Sequence, residues 1–302
     1  MTSASEIVAI VNPAAGGGRC GKRAGAALER LRRAGLDLDV RTTDDAGHAT
    51  EIARAAYQEG SRRFLSVGGD GTTFEVVNGI FPRPEGHEGK VTLGILPLGT
   101  GNSFLRDFQI TSAEHALCAL ERGSSRPVDV VRTEHGDGLI HFINLLSVGF
   151  SAKAGALTNE RFKALGPAGY VLAVFSCVAR LQHPVFPVRL DGGAVDDRPC
   201  VLLSFSNSRF TGGTMMMAPH ACPTDGAVDV IRVGRFGKLG LLRTFPRIFR
   251  GTHVDDARVE ESRAKVVELG DVGQTDVMVD GEVMRLRLRR LEVLPGALEV
   301  IA

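Results

Sequence analysis

Three glycine-rich turns carry the residues of this chain best suited to chemistry. They read Asn12-Pro13-Ala14-Ala15-Gly16-Gly17-Gly18, Gly68-Gly69-Asp70-Gly71-Thr72 and Pro97-Leu98-Gly99-Thr100-Gly101-Asn102. Glycine tolerates positive φ and lets backbone N–H groups approach a phosphate closely. Thr72 and Thr100 add hydroxyl donors, and a helix opening after Gly71 adds the positive end of its dipole. Asp70 alone would repel a phosphate; a carboxylate in such a place holds Mg²⁺ or orients a cation or hydroxyl. A merely tight turn explains any one of the three, but not three at successive strand ends. The pattern predicts a phosphate or nucleotide site.

Further along, Asp280-Gly281-Glu282 sits in DVMVDGEVMRLRL, a strand–turn–strand signal. It reads as an Asp-Gly hairpin turn and also as a pair of carboxylates able to take a proton. Asp225-Gly226 reads by itself as a plain turn. His48, His183 and His253 lack metal-ligand spacing and read as surface or capping residues. Met215-Met216-Met217 reads as a strand or as adaptable lining for an acyl chain.

Two near-motifs point elsewhere and fail on detail. Gly16-Gly17-Gly18-Arg19-Cys20-Gly21 matches the dinucleotide fingerprint, with Asp37 and Asp39 downstream. Asn12-Pro13-Ala14-Ala15 intervenes, however, where that fingerprint needs a tight turn directly after the strand. Gly16 to Lys22 resembles a P-loop, but Arg23 stands where a Ser or Thr hydroxyl is needed.

The elements that must position these turns alternate. Residues 6–11, 36–41, 63–67 and 91–96 read as strands, and 23–34, 48–59 and 73–80 as helices. Strand and helix in alternation predict a parallel sheet with helices on both faces, whose carboxyl edge gathers all three turns. After Pro127 the texture changes to short strand-like segments such as FINLLSVGF, PCVLLSFSN, AVDVIRV and DVMVD. These predict an antiparallel sandwich or barrel, interrupted by helices over 161–181 and 239–250. The boundary falls near 126–129, giving a nucleotide-binding domain over 1–128 and a sandwich domain over 129–293.

Composition narrows the partners. Formal net charge is +1, tryptophan is absent and there are two tyrosines, so neither a polyanion surface nor a base-stacking platform is expected. Five cysteines without CxxC spacing argue against structural zinc or a disulfide framework and fit a reducing cytosol. The opening MTSASEIVAIVNP does not read as a signal peptide. Membrane contact is therefore expected to be peripheral. Residues 235–250, RFGKLGLLRTFPRIFR, mix five basic residues with Leu, Phe and Ile and could rest in an anionic headgroup layer; a helix packed on its own domain reads equally well.

Together the turns resemble the catalytic domain of the diacylglycerol kinase family, which includes bacterial lipid kinases, sphingosine kinases and ceramide kinases. The most specific stretch is Gly68–Thr72 with Glu75-Val76-Val77-Asn78-Gly79, then 97–102. The early NPAAGGG and Thr43 with Gly47-His48-Ala49 also fit. Asn144 with Ser147-Val148-Gly149-Phe150, Gly212-Gly213 with Ala218-Pro219-His220-Ala221 and Thr224-Asp225-Gly226, and Asp280-Gly281-Glu282 extend the likeness over nearly the whole chain. The resemblance implies a Rossmann-like α/β domain plus a C-terminal β-sandwich, as in NAD kinase and diacylglycerol kinase, with a cleft between them and residues 294–302 returning to the first domain. It implies ATP binding at Asn12, Thr43, Gly68, Gly69, Asp70, Gly71, Thr72, Thr73, Phe74, Thr100 and Asn102. It implies Mg²⁺ near Asp70, a structural metal at Asp225 with the carbonyls of Cys222 and Ala227, and Glu282 as proton acceptor beside Asp280.

One departure stands out. Many bacterial members carry an aspartate after the loop asparagine, where this chain has Ser103, so the acidic Mg²⁺-linked network would rest on Asp70, Asp129 and Asp280. Members acting on sphingoid lipids often lack that aspartate too. The expected function is an ATP-dependent kinase of diacylglycerol or a related glycerolipid, with a sphingoid base or ceramide as the alternative acceptor. Its expected setting is the cytoplasm, peripheral at the inner membrane surface, with a homodimer as a compatible assembly. NAD kinases share the GGDGT-type loop, but the long second half with its DGE motif speaks against that class; retained Asp70 and Glu282 argue against a nucleotide sensor without catalysis.

Overall fold

A computed structural model describes residues 6–83, 89–99, 101–162 and 167–302. They divide into two compact units. The first comprises Met1–Val130, Ile140–Ile143 and Leu294–Ala302, and the second Val131–Leu139 and Asn144–Val293.

The first unit opens with β1 (Ile7–Val11), α1 (Arg19–Arg33), β2 (Leu38–Thr42), α2 (His48–Gln58), β3 (Arg63–Gly68), α3 (Asp70–Ile80), β4 (Thr92–Pro97) and α4 (Ala113–Arg122). β5 (Ser125–His135) and β6 (Gly138–Phe142) contribute residues to both units. β1, β2, β3 and β4 pair in parallel in the order β2-β1-β3-β4. The sheet forms because IVAIV and RFLSVG are apolar runs rich in β-branched and aromatic side chains, buried almost throughout. α1 buries Cys20, Ala24, Ala27, Leu28 and Leu31, the spacing of one helical face. Gly79 lets α3 approach α2, since a Cβ there would lie 2.5 Å from the Ala53 Cβ and 2.6 Å from the Thr50 carbonyl oxygen. α4 is capped at both ends: the Ser112 side chain accepts the His115 N–H, and Gly123 closes the helix at φ 68°.

The second unit contains β7 (Leu145–Gly149), α5 (Phe150–Leu157), α6 (Pro167–Ala179), β8 (Val188–Leu190), β9 (Val195–Asp196), β10 (Leu202–Ser206), β11 (Phe210–Thr211), β12 (Met215–Met216), β13 (Val228–Val233) and α7 (Lys238–Thr244). It continues through β14 (Val259–Ala264), β15 (Val266–Leu269), β16 (Thr275–Val279), β17 (Glu282–Leu286) and β18 (Leu288–Ile301). Six strands form an antiparallel sheet in the order β14-β13-β10-β7-β16-β17. β15 pairs with β8 and with the first half of β18, also antiparallel. β18 then crosses the division, and Glu299 and Val300 pair in parallel with Thr92 and Leu93 of β4.

Several expected boundaries move. α3 begins at Asp70 rather than residue 73, so Asp70, Gly71 and Thr72 occupy the first turn of a helix. The helical region expected over 161–181 is broader: α5 starts at Phe150, directly after β7, and α6 ends at Ala179. Its residues 163–166 lie outside the described residues. The 239–250 helix is α7 followed by a 3₁₀ stretch, Phe245–Arg250, because Pro246 cannot donate to a continuing α-helix.

Candidate active site

In the first unit, β1, β3 and β4 each end in one of the glycine turns, and hydrogen bonds lock the turns together. The Asn12 side chain donates to the Thr72 hydroxyl at 3.2 Å, joining the first turn to the second. Its Oδ1 accepts the Ala14 N–H at 3.1 Å, which folds its own turn. The Gly99 N–H donates to the Gly68 carbonyl at 2.7 Å, joining the third turn to the second. Glycine is required at 99, since a Cβ there would sit 2.7 Å from the Gly69 Cα. The Ser103 N–H donates to both carboxylate oxygens of Asp70, at 3.3 and 3.4 Å.

The nucleotide-contact residues expected from the sequence separate into lining and support. Gly69 precedes α3 with no side-chain cap, which leaves the first-turn N–H groups of an eleven-residue helix for an anion. Asp70 is half-buried at that terminus. Thr73 and Phe74 are buried; the Thr73 hydroxyl bonds with the Ser66 hydroxyl at 3.0 Å. Thr43 is buried, and its N–H continues from β1 through the Val11 carbonyl. Asn102 donates its side chain to the Ile110 carbonyl at 3.2 Å. Thr100 lies outside the described residues.

The rest of the motif is architectural. Glu75 accepts the N–H groups of Gly47 and Ala49 at 2.9 and 3.1 Å, capping α2 from a different helix. Asn78 clamps His141 on β6 in both directions, accepting its N–H at 2.8 Å and donating to its carbonyl at 2.9 Å. Sequence reasoning had no role for these two. Their polar character inside a helix facing apolar neighbours was the available signal. Asp129 is buried and accepts the Gly296 N–H at 2.8 Å, so it fastens the returning strand.

In the second unit the DGE turn is a two-residue hairpin. Val279 pairs with Glu282 across it, and Asp280 and Gly281 both take positive φ, 46° and 90°. Asp280 is buried, and its Oδ1 accepts the N–H groups of Asn144 and Leu145, both at 3.0 Å. The Asn144 side chain in turn accepts the Ser208 hydroxyl, and its carbonyl accepts the N–H groups of Asn207 and Ser208. Glu282, two residues on, is exposed. The turn thus offers one carboxylate bound by backbone donors and one facing solvent.

The expected metal loop is charge-compensated from within. Asp225 accepts the Ala227 N–H at 3.2 Å and forms an ion pair with Arg263. Burial pushes the carboxyl of nearby Asp229 up to about 6, against the pull of Arg263. The Cys222 thiol lies 3.3 Å from the Thr224 hydroxyl. A cation held by Asp225 and the carbonyls of Cys222 and Ala227 would share that carboxylate with Arg263. Among the described residues no three His, Cys, Asp or Glu side chains gather as a metal site. The phosphate-linked Mg²⁺ of a nucleotide fits better, since it asks the protein for one carboxylate, as at Asp70.

His253 departs from the surface role expected of it. It is buried, its Nε2 donates to the Met217 carbonyl at 3.1 Å, and burial lowers its affinity for a proton. It lines an apolar cavity of about 80 Å³ with Met215, Met217, Phe236, Leu241 and Ile248.

The chain resembles known proteins along nearly its whole length. Residues 6–133 match the family described as the diacylglycerol kinase catalytic domain, and residues 144–302 the YegS C-terminal NAD kinase beta sandwich-like domain. A diacylglycerol kinase of Mycobacterium tuberculosis is 29% identical over 98% of this chain and 94% of its own length. A Pseudomonas aeruginosa protein named as a YegS-like lipid kinase is 31% identical over 93% of this chain and 91% of its own. A crystal structure of a Bacillus anthracis diacylglycerol kinase superposes with TM-score 0.72 at 22% identity, covering 100% of this chain and 98% of that one. The chain is a lipid kinase and belongs to the family of diacylglycerol kinases and YegS-like lipid kinases.

Proposed function

We propose that this lipid kinase transfers the γ-phosphoryl group of ATP to a hydroxyl of diacylglycerol or a related glycerolipid. The observation that carries the nucleotide half is the mutual locking of three glycine turns around Asp70 at an uncapped helix N-terminus. In such a place backbone N–H groups meet phosphate oxygens without reorganising. Mg²⁺, when bound with the nucleotide, supplies charge neutralisation on the transferring phosphoryl group. Asp70 would hold that ion, with its carboxylate fixed by the Ser103 N–H. Ser103 thereby supports through its backbone a position where many relatives place a carboxylate.

The acceptor half rests on the second unit. Glu282, exposed at the start of β17, takes the proton of the lipid hydroxyl. Asp280 is committed to the N–H groups of Asn144 and Leu145 and positions the turn. The apolar cavity beside Met215, Met217 and Phe236 receives an acyl chain. Docking is peripheral, at the inner surface of the membrane. Leu239 is 71% exposed and Phe249 51%, while Phe236, Leu241 and Ile248 of the same segment are buried. Leu172 and Phe175 of α6 are exposed as well. Arg243 and Arg250 of the 235–250 segment are exposed too, which suits an anionic headgroup layer. No described helix is long and apolar enough to cross a membrane.

The test is phosphorylation of a panel of diacylglycerol, sphingosine, ceramide and NAD by purified protein with labelled ATP. Phosphatidic acid as the main product is expected. Transfer mainly to sphingosine or ceramide would move the reading to the sphingoid class, which the serine at 103 also fits. Transfer mainly to NAD would end it.

A further inference from the structure

The inner face of the second unit's six-stranded sheet contains a polar patch where antiparallel packing calls for apolar side chains. Ser147 on β7 lies directly opposite Ser204 on β10, and opposed residues project to the same face. Met278 and Ile231 complete that rung. Ser206 projects one rung further along, opposite Leu145, whose carbonyl accepts the Asp280 N–H. One rung the other way, Leu202 and Val233 face each other. Ser147, Ser204 and Ser206 are fully buried.

Their hydroxyls bond only in pairs among the described residues. Ser147 bonds with Ser151 at 2.8 Å, and Ser204 with Ser206 at 2.9 Å. A hydroxyl has one hydrogen to donate, so each pair uses one hydrogen and leaves the other without an acceptor. Leaving a buried donor unmet is costly, and here two stand on adjacent strands. Ser151 also lines the apolar cavity, together with Leu202, Val233 and Met278. The serines therefore stand between that cavity and the rung of the Asp280 turn. Two residues of strand, roughly 7 Å, separate Ser147 from Leu145.

We propose that these two serine pairs hold an acyl carbonyl oxygen of the lipid acceptor. This rests on the lipid-kinase reading above, with the chain in the cavity and the free hydroxyl at the DGE turn. In an acylated glycerol the nearest ester carbonyl lies a few bonds from the free hydroxyl, the reach of about one rung. An amide carbonyl presents the same acceptor. An ether-linked chain presents none and leaves both donors unmet. The serines thus select acylated lipids over alkyl ethers of equal length.

The experiment compares dioctanoylglycerol with its dioctyl ether, by titration calorimetry and by turnover. The proteins are wild type, Ser147→Ala/Ser151→Ala and Ser204→Ala/Ser206→Ala. Replacing both members of a pair removes donors and acceptors together, which spares the fold an orphaned hydroxyl. Wild type should bind the ester on the order of tenfold more tightly than the ether. Either double variant should lose most of that preference with its KM for ATP unchanged. Equal affinity of wild type for ester and ether overturns the proposal, and is also what a buried water in place of the carbonyl would give. An ester preference that persists in both variants overturns it too. Because binding is read separately, ester-selective binding without turnover would count against diacylglycerol as the phosphoryl acceptor and still support the carbonyl site.

Discussion

Both units bury polar side chains, Thr43, Thr73 and Asp129 in the first among them, but they would present different atoms to a ligand. In the first, the atoms aimed at a ligand are mainly backbone N–H groups at the uncapped start of α3, and side chains such as Asn12, Glu75 and Asn78 brace the loops from outside. In the second, polar side chains lie inside: Asp280, Asn144, Ser147, Ser204 and His253 are all buried. The surfaces differ as well. Every large apolar side chain found exposed among the described residues, from Leu139 to Val272, belongs to the second unit. A phosphate is the same in every nucleotide, and fixed backbone donors suffice for it. A lipid brings a long apolar body and a few polar atoms, and needs an accessible apolar surface with buried polar points behind it.

The comparison breaks most visibly at Asp70. Asp70→Ala should lower turnover by at least two to three orders of magnitude, the scale of losing one preorganised electrostatic group. It should leave lipid binding unchanged, since the proposed lipid site lies in the second unit. A folded variant with near-normal steady-state turnover would remove Asp70 from the chemistry.

A sharper contrast lies inside the DGE turn. Glu282→Gln should cut kcat about a hundredfold through loss of the base, with its melting temperature close to wild type. Asp280→Ala strips two buried N–H groups of their acceptor and should destabilise the fold by about 2–4 kcal/mol. Denaturation curves beside kinetics separate the two. A stable Asp280→Ala together with a fully active Glu282→Gln would reduce the motif to a hairpin.

The exposed apolar surface gives a smaller effect. Arg243→Glu with Arg250→Glu should weaken sedimentation with anionic vesicles by about 1 kcal/mol per cation removed, and leave neutral vesicles unaffected. Arg247 is kept, because it pairs with Asp255 and bonds the Thr252 carbonyl. Equal vesicle binding by wild type and variant would assign the segment to packing alone.

The smallest effect is in pH. Burial lowers the pKa of His253 below its usual value, so the unfolded chain binds the proton more readily. The stability it confers is complete above the unfolded pKa of about 6.5 and falls as pH drops below it. His253→Gln should flatten that part of the stability–pH curve in thermal melts. A wild-type curve as flat as the variant's between pH 7 and 5 would show that the ring carries no such penalty.

Much of this was legible in the residues. The runs IVAIV and RFLSVG and the glycines after them pointed to the parallel sheet and to the edge where its glycine turns meet, because both depend on local composition. The start of α3 at Asp70 was not, since a Gly-Asp-Gly run reads as a turn until a packed helix overrides it. α5 escaped notice because SAKAGA follows a strand with no capping signal. Glu75, Asn78 and the Asp280 bonds to Asn144 and Leu145 join positions far apart in sequence, which no local pattern reveals. His253 read as surface because a lone histidine carries no periodicity of its own.

The last strand sets a condition on biosynthesis. Glu299 and Val300 pair with β4, Gly296 donates to Asp129, and Glu299 meets Lys90 and Ser125. During translation the edge of β4 stays unpaired until some two hundred later residues have left the ribosome, although the loops beside it have long since emerged. The first unit thus waits on residues 294–302, with an open edge exposed to other nascent chains throughout. A chain truncated near residue 290 would carry all three glycine turns and the DGE turn but lack the strand that pairs with β4.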